Sequence, residues 1–164
     1  MNNPSIVILN WNGEEFLEKC IPSVIKAVSV YGDDCEIVVA DNGSSDGSIN
    51  YLKSDFPQVR IISLKANLGF AKAMNIAIKE ARCPVVIGLN NDIIADEDFI
   101  SPLVSHFSDD GNILAVAAKM LLWDKKTINF GRAKGNFRFG FFNRDMADSS
   151  AAVNTLYACA GGFA

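Results

Sequence analysis

The chain is poor in histidine, in basic clusters, in paired cysteines and in long apolar runs, and each shortage closes off a class of function. A single histidine, His106, stands in a different segment from the four cysteines, Cys20, Cys35, Cys83 and Cys159. No CxxC pair occurs and no histidine flanks a cysteine, which argues against a zinc site and for buried thiols in a reducing compartment. Lys and Arg number 15 against 19 Asp and Glu, giving a formal net charge of −4 with no basic stripe. A nucleic-acid surface is basic and clustered, so no nucleic-acid partner is expected. No run approaches the ~18 apolar residues that a spanning helix needs. The opening "MNNPSIVILNWNG" also lacks a basic leader with a long apolar stretch behind it. No membrane span is expected, and the chain is assigned to the cytoplasm, with membrane association left to any sequence beyond it. No GxGxxG follows the first strand and no GxxxxGK[ST] occurs, so dinucleotide-binding and P-loop fingerprints are both missing.

What is present is an ordinary globular composition. The 164 residues are 49% hydrophobic and 21% charged, which suits one domain around one core. Apolar strands alternate with helical periodicity. Strands are predicted at 5–9, 36–40, 59–64, 84–89 and 113–120, with a last one at 153–160. Helices are predicted at 13–28, 46–56, 69–81 and 96–107. The first has Leu17, Cys20, Ile21, Val24 and Val28 on one face, with Pro22 expected to kink or break it. The second is expected to be capped by Ser44 or Ser45. The third carries Phe70, Ala73, Met74, Ala77, Ile78 and Ala81 on one face, and the fourth Phe99, Ile100, Leu103, Val104 and Phe107. His106 falls on the polar side of that helix, and Asp96 suits a cap better than a ligand. Continuous apolar strands separated by helices predict an α/β fold, a mostly parallel sheet flanked by helices on both sides. Beyond residue 120 the pattern changes to a Gly-, Phe- and Arg-rich segment, a loop or an irregular hairpin. The small apolar ending "YACAGGFA" has the character of an interrupted chain.

Ligands of open parallel sheets bind outside the carboxyl ends of the strands. Here the residues after the strands are polar four times over. They are Asn10, Trp11, Asn12 and Gly13; then Asp41, Asn42, Gly43, Ser44 and Ser45; then Lys65, Asn67 and Gly69; then Asn90, Asn91 and Asp92. The set fits a nucleoside diphosphate and a divalent metal. Asp41 can accept an imino N–H of a pyrimidine, Trp11 offers a stacking face, and Asp92 is a hard oxygen ligand for Mg2+ or Mn2+. Asn90 and Asn91 can hold the metal's waters or a sugar hydroxyl. Each also has a plainer reading: Asp92 as a turn residue, Asp41 as a helix cap, Trp11 as core packing. The "NGS" at 42–44 matches a glycosylation sequon, but a ligand loop in a cytoplasmic protein has no use for it.

Four segments in order, "SIVILNWNGEEFLEKCIPSV", "VVADNGSSDGS", "NLGFAKAMNIAI" and "GLNND", resemble the family 2 glycosyltransferases of the GT-A (Rossmann-like) fold. The likeness covers about residues 4–120, and "CAGGFA" is similar to the start of the acceptor half. The versions found here look most like bacterial rhamnosyltransferase-type members that build cell-surface polysaccharide. The resemblance implies one GT-A domain over 1–164, with a donor nucleotide-binding half at 1–120 and the start of an acceptor-side region at 121–164, its C-terminal part truncated. It implies that Asn10 and Trp11 contact the nucleoside and that Asp41 bonds the base. Asn67, Gly69 and Asn75 belong to the loop beside the nucleotide. Asn90, Asn91 and Asp92 match the DxD motif, whose last residue binds Mg2+ or Mn2+. The donor is then a UDP- or dTDP-sugar, dTDP-rhamnose among them, and the acceptor a glycan or lipid-linked saccharide. An inverting displacement follows, in which a carboxylate deprotonates the acceptor hydroxyl. The chain departs from the family pattern at Asn90, the first DxD position, and at Met74, where many members carry Arg. The acidic motif that supplies the general base is expected beyond Ala164. A degenerate sugar-nucleotide binder and a nucleotidyltransferase are the alternatives, although the acidic "NWNGEE" does not suit the latter's phosphate loop. A receiver-type signalling domain needs an acidic pair after the first strand, where Asn10 and Asn12 are amides.

Overall fold

The computed structural model describes residues 3–32, 35–109, 115–122, 124, 126–130, 133–138 and 141–146. The chain divides into two compact units, Met1–Ser108 and Asp109–Ala164. In the first, β1 (Pro4–Asn10), β2 (Glu36–Asp41), β3 (Arg60–Ser63) and β4 (Val85–Asn90) form a parallel sheet in the order β3-β2-β1-β4. The helices α1 (Glu14–Tyr31), α2 (Ser48–Asp55), α3 (Phe70–Glu80) and α4 (Ile100–Asp109) surround it.

Strand periodicity divides the core in two. Ile6, Ile8, Ile37, Val39 and Ile87 point to one face and pack with Leu17, Cys20, Ile21 and Val24 of α1, Leu52 of α2 and Ile100 and Val104 of α4. Val7, Leu9, Val38 and Ala40 point the other way, onto Ala73, Met74 and Ala77 of α3. The sheet grows from β1 to β3 in one direction and then returns to add β4 on the far side of β1. Right-handed crossovers require that reversal to move the connecting helix to the opposite face, which is where α3 lies. The gap between β1 and β4 is therefore the topological switch point, where open α/β sheets bind ligands.

Several elements differ from expectation. Pro22 does not end α1, which runs unbroken from Glu14 to Tyr31. Pro22 and Glu18, whose carbonyl the ring leaves unpaired, are both on the exposed side, where water can take the free oxygen. Helix α2 starts at Ser48, and Ser44 and Ser45 do not cap it. Asp96 does not cap α4 but accepts the Asp98 N–H in a turn before it, at 3.1 Å. His106 is exposed, as its place on α4 predicts. The strand expected at 113–120 is absent from residues 115–119, where three alanines supply little of the side-chain packing that holds a strand. In the second unit, β5 (Met120–Leu121) instead pairs antiparallel with β6 (Ile128–Phe130). The turn between them is organised by the Asp124 carboxylate, which accepts the N–H groups of Lys126 and Thr127. Antiparallel β7 (Ala133–Arg138) and β8 (Phe141–Met146) resolve the aromatic-basic segment as a hairpin. The strand expected at 153–160 lies outside the described residues.

The amino edge of the sheet is closed by one carboxylate. Glu36 accepts the Ser5 hydroxyl at 2.6 Å, Arg60 Nε at 2.8 Å and the Arg82 N–H at 2.9 Å. The Cys83 N–H in turn donates to Ser5 Oγ at 3.1 Å, so β1, β2, β3 and the entry to β4 meet at this point. Burial opposes ionisation of Glu36, but the bonds from Ser5, Arg82 and Arg60 outweigh it and hold the carboxyl below its ordinary 4.5. The linked stability is complete above that ordinary value and is lost as pH falls through the lower folded value. Glu36→Gln turns an NH2 group toward these donors. The variant is expected to lose roughly 1–3 kcal/mol at neutral pH. Urea unfolding measured between pH 7 and pH 3 should show an acid-dependent loss in the wild-type chain that is reduced in the variant.

Candidate functional site

The parallel register brings the strand-end residues together. Asn10 pairs with Asp41 across β1 and β2, and Leu9 pairs with Asn90 across β1 and β4. Alternation then separates them. Asn10 is in phase with Ile6 and Ile8, and Asp41 with Ile37 and Val39, so both end on the α1 side of the sheet. Leu9 is in phase with Val7, and Asn42 continues the phase of Val38 and Ala40, on the α3 side. On that side lies an open cleft of about 360 Å3, lined by Leu9, Trp11, Asn42, Asn67, Gly69, Phe70, Asn90, Asn91 and Asp92.

Of the residues singled out from sequence, Trp11, Asn67, Gly69, Asn90, Asn91 and Asp92 therefore meet in one place. Trp11 is 54% exposed, so it is not a core residue. Asp41 and Asn10 are absent from the lining and have no exposed surface. Both Asp41 oxygens are engaged internally: Oδ1 accepts Asn10 Nδ2 at 3.0 Å and Oδ2 accepts the Ser44 N–H at 3.0 Å. Asp41 thus stands behind the cleft, and its neighbour Asn42, itself almost fully buried, is the residue of this loop that lines it. Asn42 Oδ1 accepts the Leu68 N–H at 2.9 Å, and its Nδ2 donates to Asn67 Oδ1 at 3.0 Å. Asn75 is exposed on α3 and does not line the cleft. Phe70, predicted for the core face of α3, is 36% exposed and forms part of the cleft wall. Phe70 is the first residue of the helix, directly after Gly69, and the buried residues of α3 begin only at Ala73. Strand parity was the available signal for Asn42.

The loops after β1 and β2 are laced together. Asn12 Oδ1 accepts the Ser45 N–H at 2.8 Å, and the Asn12 N–H donates to Ser44 Oγ at 2.8 Å. Asn12 takes a left-handed φ of 47°, which an Asn tolerates better than most residues. The two helices cap each other. Asp46 Oδ2 accepts the Glu14 N–H at the start of α1, and Glu14 Oε2 accepts the Gly47 N–H at the start of α2, each at 3.1 Å. Burial works against the Asp46 charge, yet bonds from Ser48 and Glu14 keep its carboxyl below the ordinary range. Both helix starts are thus filled by protein carboxylates, which a phosphate would have to displace.

Asp92 is exposed and is the one carboxylate in the cleft lining. No cluster of three His, Cys, Asp or Glu side chains exists among the described residues. The donor set fits a hard divalent cation of the Mg2+ type, which is commonly held by one or two carboxylates completed by substrate phosphates and water. Cys20 lies beneath, its Sγ 3.8 Å from the Asn90 carbonyl oxygen. Burial, with the nearby Asp92 charge, pushes its thiol up to about 12, so it remains protonated and is no metal ligand.

Gly43 depends on having no side chain. Its φ is +76°, and a Cβ there would stand 2.6 Å from the backbone carbon of Ala66. Gly43→Ala is expected to cost roughly 1–3 kcal/mol in chemical unfolding. It should also separate the β2–α2 loop from the β3–α3 loop that carries Asn67.

The family model described as Glycosyl transferase family 2 matches residues 5–162. A chondroitin synthase of Pasteurella multocida is 30% identical over 115 residues, 68% of this chain and 12% of that protein. S. aureus TarS 1–349 in complex with UDP superposes with a TM-score of 0.59 at 17% identity, covering 72% of this chain and 39% of that one. A mannosyltransferase of Pyrobaculum calidifontis in complex with GDP-Man and Mn2+ gives 0.58 at 20% identity, covering 65% of this chain and 32% of that one. The chain spans between 12% and 35% of the length of the first curated relatives it matches. The solved neighbours support the fold expected from sequence, a mostly parallel sheet flanked by helices.

Proposed function

The chain belongs to glycosyl transferase family 2, and from that premise we propose that its switch-point cleft holds the nucleoside diphosphate of a sugar donor. The observation that carries the reading is the gathering of Trp11, Asn42, Asn67 and Phe70 with Asn90, Asn91 and Asp92 around one cleft. Trp11 and Phe70 offer apolar faces for a nucleobase, and Asn67, held in place by the almost fully buried Asn42, offers an amide to its edge. Asn67 Oδ1 already accepts Asn42 Nδ2 and the Gly69 N–H, the latter at 2.8 Å, which leaves its NH2 group for a ligand carbonyl. Asp92 faces the diphosphate end. A divalent cation, Mg2+ or Mn2+, held there with the donor phosphates supplies positive charge against the departing diphosphate.

The donor is proposed as a UDP- or dTDP-sugar, with dTDP-rhamnose favoured by the sequence resemblance. The acceptor is proposed as a cell-surface polysaccharide or lipid-linked saccharide, in keeping with the synthase relative. Transfer is proposed as an inverting displacement in which the acceptor hydroxyl attacks the anomeric carbon, with the general base supplied from outside the residues described. The thiols of Cys20 and Cys83 suit a reducing, cytoplasmic setting. No helix among the described residues is long and apolar enough to cross a membrane. A donor-binding domain without transfer activity is the second reading, favoured by Asp92 being the one cleft carboxylate. The carboxylates that fill the starts of α1 and α2 speak against a nucleotidyltransferase phosphate loop at either helix.

Calorimetric titration with UDP, dTDP and GDP, with and without Mn2+, tests the reading. Mn2+-dependent binding of at least one diphosphate is expected. Asp92→Ala should weaken it by about tenfold or more, the loss of one charge-assisted contact. Absence of binding by all three diphosphates in Mn2+ contradicts the reading. Release of free sugar or a glycosylated acceptor from the matching nucleotide sugar separates transferase from binder.

A further inference from the structure

We infer that Asp41 is a positioning residue that sets, through Asn10, which end of the Asn91 amide faces the cleft. The chain of bonds is short and directional. Asp41 receives two donors, Asn10 Nδ2 at 3.0 Å and the Ser44 N–H at 3.0 Å. A carboxylate only accepts, so Asn10 must present its NH2 group to Asp41 and its carbonyl oxygen away from it. That oxygen accepts Asn91 Nδ2 at 2.7 Å. Asn91 therefore spends its NH2 group inward, and its Oδ1 has no protein partner among the described residues. Asn91 lines the cleft beside Asp92. A buried charge at the end of β2 thus delivers an oxygen, not an NH2 group, next to Asp92.

The surroundings leave the chain no slack. Asn10 and Asp41 have no exposed surface, so water cannot replace a lost partner. Asn10 Nδ2 has Ser44 Oγ as a further acceptor at 3.3 Å, which reinforces its orientation. A Cβ at Gly13 would stand 2.1 Å from Asn91 Nδ2 and 2.7 Å from Asn10 Oδ1, so any side chain at residue 13 would push on the Asn91–Asn10 contact. The use of the outward oxygen, as an acceptor for a hydroxyl or as a hard ligand beside Asp92, rests on the donor-cleft reading. The polarity of the chain does not.

One substitution should invert the whole series. In Asp41→Asn the fixed Ser44 N–H claims the new amide's oxygen, so its NH2 group faces Asn10. Asn10 must then turn over, present NH2 to residue 91, and force Asn91 to show its own NH2 to the cleft. In Asp41→Asn/Asn91→Asp, the carboxylate introduced at position 91 accepts from the inverted Asn10 and again shows an oxygen outward. Asn91→Asp alone sets a carboxylate against Asn10 Oδ1.

The test combines melting temperatures and Mn2+-dependent UDP binding for the wild-type chain, both single variants and the double. Asp41→Asn is expected to weaken binding by roughly ten- to hundredfold, the range for loss of an orienting partner behind a ligand. The double variant should recover most of that loss and should melt well above the value obtained by adding the two single effects. Additive melting and additive binding losses overturn the inference. If the wild-type chain binds no diphosphate, the function proposed above fails, while the melting cycle still decides the polarity. If the variants do not fold, side-chain amide exchange in the wild-type chain decides it. Slow exchange at Asn91 Nδ2 with fast exchange at Asn67 Nδ2 supports the inward donation, and fast exchange at Asn91 overturns it.

Discussion

The loops after β1 and β2 are held against each other by side chains that stand in for absent backbone pairing. Where a parallel sheet stops, its strands leave N–H and C=O groups without partners. Here Asn10, Asn12 and Glu14 on one loop exchange hydrogen bonds with Asp41, Ser44, Ser45 and Asp46 on the other. The two helices that follow are capped from the opposite loop, each by the other's carboxylate. Neither loop can move alone, because moving it leaves a buried charge or amide without partners, which is expensive in a low dielectric. Trp11 sits within this brace while its ring remains exposed. The placement of its exposed ring is therefore set by bonds made on either side of it.

The sheet uses polar side chains differently at its two edges. At the amino edge, Glu36 gathers Ser5, Arg60 and the Arg82 amide into a closed knot of hydrogen bonds. At the carboxyl edge, the polar side chains are braced from within while Asn67 and Asn91 each keep one end of the amide clear of the hydrogen bonds that hold it. Asn42 and Asn67 bond one another and the β3–α3 loop, and Asn91 bonds Asn10, yet all three line the cleft. Such preorganisation lowers what ligand binding has to order. It also suits a family whose members share a scaffold and vary their donors. In the proposed donor cleft, the amides are assigned a share of recognition beside the carboxylate Asp92.

Much of this was legible in the sequence, for reasons that can be named. Continuous apolar strands pointed to the parallel sheet, and the run of polar residues after each strand marked the edge that carries the cleft. The elements that failed did so where a longer-range fact decided. Pro22 reads as a break, but its exposed place on α1 makes the missing bond cheap. The run at 113–120 is apolar enough for a strand, yet its alanines give a sheet little to pack. Phe70 fits the apolar stripe of α3, but it is the first residue of the helix and lines the cleft. The exchange of Asp41 for Asn42 is a matter of parity. Sequence shows that the two point to opposite faces, and only the strand order shows which face carries the cleft.

The most direct measurement of the central claim is a nitrogen-correlated NMR titration of the labelled chain with UDP, and with GDP and dTDP alongside, in Mg2+. The account predicts that the Trp11 indole and the side-chain amides of Asn42, Asn67, Asn90 and Asn91 shift together on one binding curve. The Arg60 and Arg82 signals at the opposite edge should stay in place. Shifts centred on the amino edge, or a binding curve that leaves Trp11 and Asn67 unmoved, would contradict it.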